Sequence, residues 1–190
     1  MELSANFIHV IQDLVLRPDL ASAIVLFFLS FTNELIAVLP YAVVLSGQLL
    51  FLKGSLSLAL LTKLFIFVAI PVGVGSSIGT LPVYVLAYFG GKPAIDKFQK
   101  YLHFSWQDIE KVNSRFKGAW YDEVLFLLLR SVPLFPSFPV NVAVGILRMS
   151  FWPYLVLTTV GFTVRMMLML ITVGLGVETL SRFLNFVYTI

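Results

Sequence analysis

Four ionisable side chains, Glu34, Lys63, Arg130 and Arg165, stand inside apolar runs of this chain. At the centre of a membrane helix each would cost about 2.5–3.5 kcal/mol, so together roughly 10–14 kcal/mol before any pairing. A cost of that size calls for pairing or for a hydrated cavity. Three bases and one acid sum to +2 (3 − 1), so Glu34 cannot neutralise the rest, and an anionic phosphate would. Arg130, with Arg165, is the candidate for meeting a phosphate headgroup, because a guanidinium offers a bidentate fork. Free N–H groups of a broken helix would add to it. Glu34 then either pairs with Arg130 when the site is empty or takes up a proton. Bland alternatives stand beside these roles: a structural salt bridge for Arg130, and for Lys63 a side chain that snorkels toward a helix end. Asn141 is read first as satisfying broken-helix carbonyls, with substrate contact as the alternative.

The elements that must position these residues belong to a membrane. Hydrophobic residues make up 59% of the 190, against about 45–50% in soluble proteins. Charged residues make up 12%, against about 25%, and mean hydropathy is +0.95. A soluble globule of 21.3 kDa cannot hide so much apolar surface, and disorder needs the opposite composition. The chain has no cysteine, which excludes disulfides, zinc-thiolate sites and iron–sulfur clusters. A net charge of +3 fits loops held by the positive-inside bias and by anionic lipid, so no nucleic acid is expected as a partner. The N-terminus lacks a basic region and a small-residue cleavage site, so no cleaved signal peptide is expected.

Along the chain, residues 1–20 read as an amphipathic surface helix, with Phe7, Ile8, Ile11, Leu14 and Val15 on one face and Pro18 at its end. Residues 21–177 form the membrane domain. Within it, residues 31–50 carry the polar trio Thr32-Asn33-Glu34 and then Pro40 and Gly47, which predicts a re-entrant or broken helix. A kinked spanning helix is the alternative. Residues 54–91 are too long for one straight span and contain their own break in Pro71, Gly73, Gly75, Gly79 and Pro82. Gly75 and Gly79 fit a close helix–helix contact. Residues 92–123 hold six Lys/Arg and five acids among aromatics, and read as an amphipathic loop on the cytoplasmic side. Residues 124–147 repeat the interruption with Arg130, Pro133, Pro136, Pro139, Asn141 and Gly145. Residues 151–177 form a spanning helix carrying Arg165, and 178–190 a tail.

Glu34 lies six residues before Pro40, as Arg130 lies six before Pro136. Matched interruptions in two halves point to a pseudo-symmetric transporter with its site between repeats. Chance spacing in a proline-rich apolar chain is the competing explanation. Enzyme signatures are missing. His9 and His103 fall on the surface helix and the loop, and no metalloprotease, hydrolase or phosphate-loop motif occurs. Neither catalytic residues, nor a metal, nor a cofactor is expected.

Three segments carry a family resemblance. LLLRSVPLFPSFPVNVAVGILRMSFWPYLVLTTVGF, GSSIGTLPVYVLAYFGGKPAIDKF and FTNELIAVLPYAVVLSG resemble, in order and spacing, the characteristic segments of the DedA/VTT superfamily, also called SNARE-associated Golgi proteins, over roughly residues 25–176. The first acid-and-proline segment matches only at Glu34 and Pro40, no second acid follows, and Pro136 stands where bacterial members have a second Arg. The resemblance implies an all-α, polytopic membrane protein with two opposed re-entrant hairpins in an inverted pseudo-repeat. Its expected function is to move a phosphate-bearing lipid, either a phospholipid or a polyprenyl phosphate, between leaflets as scramblase or flippase. Glu34, Arg130, Arg165 and Asn141 would form the headgroup or ion-coupling site. Pro40, Gly47, Pro133, Pro136 and Gly145 would make the breaks. Protons or sodium are the coupling ions such a carrier would use, a homo-oligomer is compatible, and the cell membrane is the expected location. Two other readings compete: a scaffold that recruits partners through the 92–123 loop, and an ion-coupled small-molecule antiporter.

Overall fold

The computed structural model describes residues 18–36, 57–102, 121–133 and 137–188. The expected surface helix, Pro40, Gly47, Pro136 and the central part of the 92–123 loop lie outside the described residues. Every regular element among the described residues is helical: α1 (Leu20–Ile36), α2 (Leu58–Leu64), a π-helical turn (Phe65–Ala69), α3 (Ile70–Gly79), α4 (Leu81–Leu102), α5 (Tyr121–Ser131), α6 (Ser137–Ile146) and α7 (Phe151–Tyr188).

Two stretches, Leu58–Gly90 and Phe151–Gly176, are long and apolar enough to cross a membrane. The first is one path with two defects, and both come from proline. Pro71 has no N–H and its ring crowds the carbonyl four residues back. The turn just before it widens, and Ile70 N–H reaches Phe65 O, five residues back. Before Pro82 the defect is different, a joint at which Thr80 alone separates α3 from α4 while its N–H still reaches Ser76 O. Pro82 itself falls in the first turn of α4, where its missing donor is harmless. The helix then runs on through Gly91 and Pro93 to Leu102, so the first part of the 92–123 segment continues α4.

Asp19 caps α1, its carboxylate accepting from Ser22 N–H at 2.7 Å, and that bond holds its pKa below the usual carboxylate range. The polar trio Thr32-Asn33-Glu34 does not interrupt α1, because no residue there lacks helical compatibility and the helix passes through it to Ile36. Helix α7 also runs past the expected end at 177, to Tyr188.

Gly145, expected as a break, instead lies inside α6. A Cβ there would stand 2.6 Å from Ala87 Cβ and 2.9 Å from Tyr84 O, so its role is to let α6 lie against α4. The helix ends just after it, with Arg148 at φ 53° and the bonds Arg148 N–H to Gly145 O and Met149 N–H to Val144 O. That pattern is a Schellman closure.

Of the three apolar clusters among the described residues, two are the larger cores. Leu26, Leu64, Val68, Val72, Met166 and Leu170 join α1, α2, α3 and the middle of α7. Tyr84, Phe126, Leu129, Val140, Val144 and Tyr154 join α4, α5, α6 and the start of α7. Helix α7 threads both, and between its core residues Tyr154 and Met166 lie Gly161 and Arg165.

Candidate functional site

Helices α5 and α6 are short, and the chain breaks between them at Val132 and Pro133. Proline at 133 pushes the residue before it out of helical conformation, so α5 stops at Ser131. Carbonyls freed where α5 ends need partners, and the start of α6 offers further acceptors. Two arginines from different helices supply the donors. Arg130, in the last turn of α5, donates from Nη1 to Ser137 O at 3.4 Å. Arg165, on α7, donates to Pro133 O and, at 3.1 Å, to Ser137 Oγ.

Arg130 is the more enclosed, at 1% exposure. Its guanidinium lies between the rings of Phe126 and Phe162, 5.3 and 4.8 Å from their centroids. Nη2 donates to Asn141 Oδ1 on α6, while Nε has no hydrogen-bond partner. Room for the side chain comes from Gly161, where a Cβ would overlap Arg130 Cβ. Arg165 is half-buried.

Glu34 is half-buried near the end of α1, against α3, where a Cβ on Gly79 would stand 2.9 Å from its own Cβ. It is electrostatically coupled to both Arg130 and Arg165. Gly75 faces the same helix at Phe27 O and Ser30 Oγ, so Gly75 and Gly79 bring the α3 backbone against α1. Glu34, Arg130, Arg165 and Asn141 thus come from four helices to one region, with Pro133 at its break. Lys63 does not join them: its side chain is exposed on α2.

Sequence reasoning missed three members. Tyr154 is wholly buried, and its hydroxyl lies 3.0 Å from Asn141 Oδ1 and 2.9 Å from Thr80 Oγ1. Its ring stacks on Tyr84 with centroids 4.0 Å apart. Ser137 receives both arginines. Gly161 clears the space for Arg130. The signal was present on α7: Tyr154, Thr158, Gly161 and Arg165 recur at helical spacing, a small and polar stripe in an apolar helix. Among the described residues no group of His, Cys, Asp and Glu could hold a metal ion.

The arrangement concentrates two cations and one acid beside Pro133 and Ser137, a net +1 (2 − 1). Such a place attracts an anion with oxygen acceptors. A search of curated proteins and a search of solved structures each give no match. The family model for the VTT domain matches residues 39–175, most of the chain and every element of this site except α1. This protein therefore belongs to the VTT-domain family, the DedA/SNARE-associated family of membrane proteins.

Proposed function

We propose that this protein moves a phosphate-bearing lipid, a phospholipid or a polyprenyl phosphate, between the leaflets of its membrane. The observation that carries the reading is the convergence of Arg130 and Arg165 on the Pro133–Ser137 break, with Glu34 coupled to both. At about 1.5 Å per residue, α5 and α6 reach about 16 and 15 Å, half of a bilayer core of about 30 Å. In this reading they are the two arms of a re-entrant hairpin, with Pro133 and Ser137 near mid-depth. Arg165 lies 14 residues from Phe151 and 11 from Gly176, close to the middle of its apolar stretch.

The headgroup phosphate meets the arginines while the tails stay in the bilayer, and Glu34 compensates the cations when no lipid is present. No bond is made or broken in this cycle. The protein sits in the cell membrane, with the basic 92–123 segment on the cytoplasmic side.

The test is dithionite quenching of fluorescent phospholipid in liposomes holding the purified protein. Wild type should expose inner-leaflet lipid well above empty liposomes. Arg165→Ala and Arg130→Ala, with thermal melting confirming their fold, should lose most of that activity. Wild type equal to empty liposomes ends the scramblase reading. A repeat with polyprenyl phosphate under a proton or sodium gradient then separates a driven flippase, which depends on Glu34, from a scaffold that moves nothing.

A further inference from the structure

We propose that Tyr154 is a positioning residue, whose hydroxyl holds the Asn141 amide so that its oxygen faces the Arg130 guanidinium. The functional consequence rests on the transport reading above, but the positioning itself does not.

Three helices and the α3–α4 joint meet around this hydroxyl. Arg130 from α5 donates to Asn141 Oδ1 on α6, Tyr154 from α7 shares that oxygen at 3.0 Å, and Thr80 at the α3–α4 joint lies 2.9 Å from Tyr154. Thr80 in turn donates to Ser77 O at 2.8 Å. Between Tyr154 and Thr80 alone, the hydroxyl protons are one too few. Tyr154 and Thr80 bring one hydroxyl proton each, yet there are three contacts to fill: Tyr154 to Asn141, Tyr154 to Thr80, and Thr80 to Ser77 O.

Two settings keep a proton on the contact between Tyr154 and Thr80. In one, Tyr154 donates to Asn141 and Thr80 donates to Tyr154. In the other, Tyr154 donates to Thr80, Thr80 donates to Ser77 O, and Asn141 keeps Arg130 alone. An amide oxygen with two donors is firmly oriented; with one, the amide is freer to turn its NH₂ toward the cation, which would repel it. Burial raises the stakes of either setting, since Arg130, Asn141, Tyr154 and Thr80 are all at most 2% exposed. The ring has a separate anchor in Tyr84 and Phe126, so the hydroxyl can be removed without unstacking it.

The experiment uses the full chain labelled with ¹⁵N-arginine, purified in detergent, with the Arg130 Nε–H signal assigned by its loss in Arg130→Lys. Nε has no acceptor in the site, so its protection against hydrogen exchange comes from burial and from the fixing of the guanidinium. In Tyr154→Phe, exchange at Arg130 Nε–H should accelerate about tenfold, as expected for one lost hydrogen bond, while the other arginine Nε–H signals hold. Thr80→Val removes the competing setting and sends the Tyr154 proton to Asn141 alone, so exchange should be unchanged or slower. In liposomes, Tyr154→Phe should slow lipid movement several-fold with little change in thermal midpoint.

Unchanged Arg130 exchange in Tyr154→Phe overturns the proposal. So does acceleration in Thr80→Val equal to that in Tyr154→Phe, because the network then has no direction. If Tyr154→Phe does not fold, Thr80→Val decides alone: unchanged or slower exchange at Arg130 is the expected result, and faster exchange overturns the proposal. If wild type moves no phospholipid, the transport reading fails while the exchange arms still judge the positioning.

Discussion

At the scale of single residues, the site is built as much by a missing side chain as by charged ones. Gly161 faces Arg130 where that side chain leaves its helix, and the atoms in the way are Cβ and Cγ, which cannot swing aside like a side-chain tip. Gly161→Ala should therefore destabilise the protein by about 1–3 kcal/mol, the usual size of an overpacking penalty, seen as a lower thermal midpoint in detergent. In an Arg130→Gly background the same substitution should lose most of its penalty, and an undiminished penalty would mean the crowding lies elsewhere. Arginine 130, arginine 165 and glutamate 34 were legible in the sequence because a charge in an apolar run is conspicuous. Tyr154, Ser137 and Thr80 were not, because a buried tyrosine looks like core and a serine looks like a helix start until the partners across the fold are known.

At the scale of elements, the breaks obey backbone chemistry that the sequence shows only in part. Pro71, Pro82 and Pro133 each disturb a helix, but the disturbances differ: a widened turn before Pro71, a single-residue joint before Pro82, and a full stop at Pro133. Which form is taken depends on what packs nearby, so proline position was readable and outcome was not. Gly145 was misread for the converse reason, since a glycine at a close helix contact has the same letter as one at a break. The true stop after α6 falls on Arg148, an arginine in the left-handed region that glycine favours. Left-handed backbone costs a side-chain-bearing residue roughly 1–2 kcal/mol, partly offset by the freedom glycine has when unfolded. Arg148→Gly should therefore stabilise the protein by about 0.5–1 kcal/mol. Arg148→Ala should leave the thermal midpoint nearly unchanged, and a gain in Ala equal to that in Gly would place the effect in the side chain rather than the backbone.

At the scale of the whole molecule, composition alone made membrane residence legible, and the outer surface carries the consequence. Ile24, Val25, Phe28, Val156, Val160, Val164 and Leu168 are all exposed, on faces of α1 and α7 turned away from both cores. Water would oppose such faces; lipid tails accept them. The aromatic side chains fix the level of that surface. Trp152 is 71% exposed at the start of α7, beside Phe151 and two residues after the turn, and Phe89 is 81% exposed on α4, two residues past the Ala87 contact with Gly145. Indole at a helix start, next to a turn bearing Arg148, belongs at the headgroup boundary, where an amphipathic ring is most favourable. If α5 enters and α6 leaves on that same side, Trp152 must be shallow while Arg165, 13 residues along α7 and so about 20 Å deeper, lies toward the middle. In a protein whose other tryptophans, Trp106 and Trp120, are changed to Phe, nitroxide placed near the lipid headgroup should quench Trp152 emission more strongly than nitroxide near the tail end. Stronger quenching from the tail end would put the α6–α7 turn inside the bilayer and remove the re-entrant path on which the proposed lipid route depends.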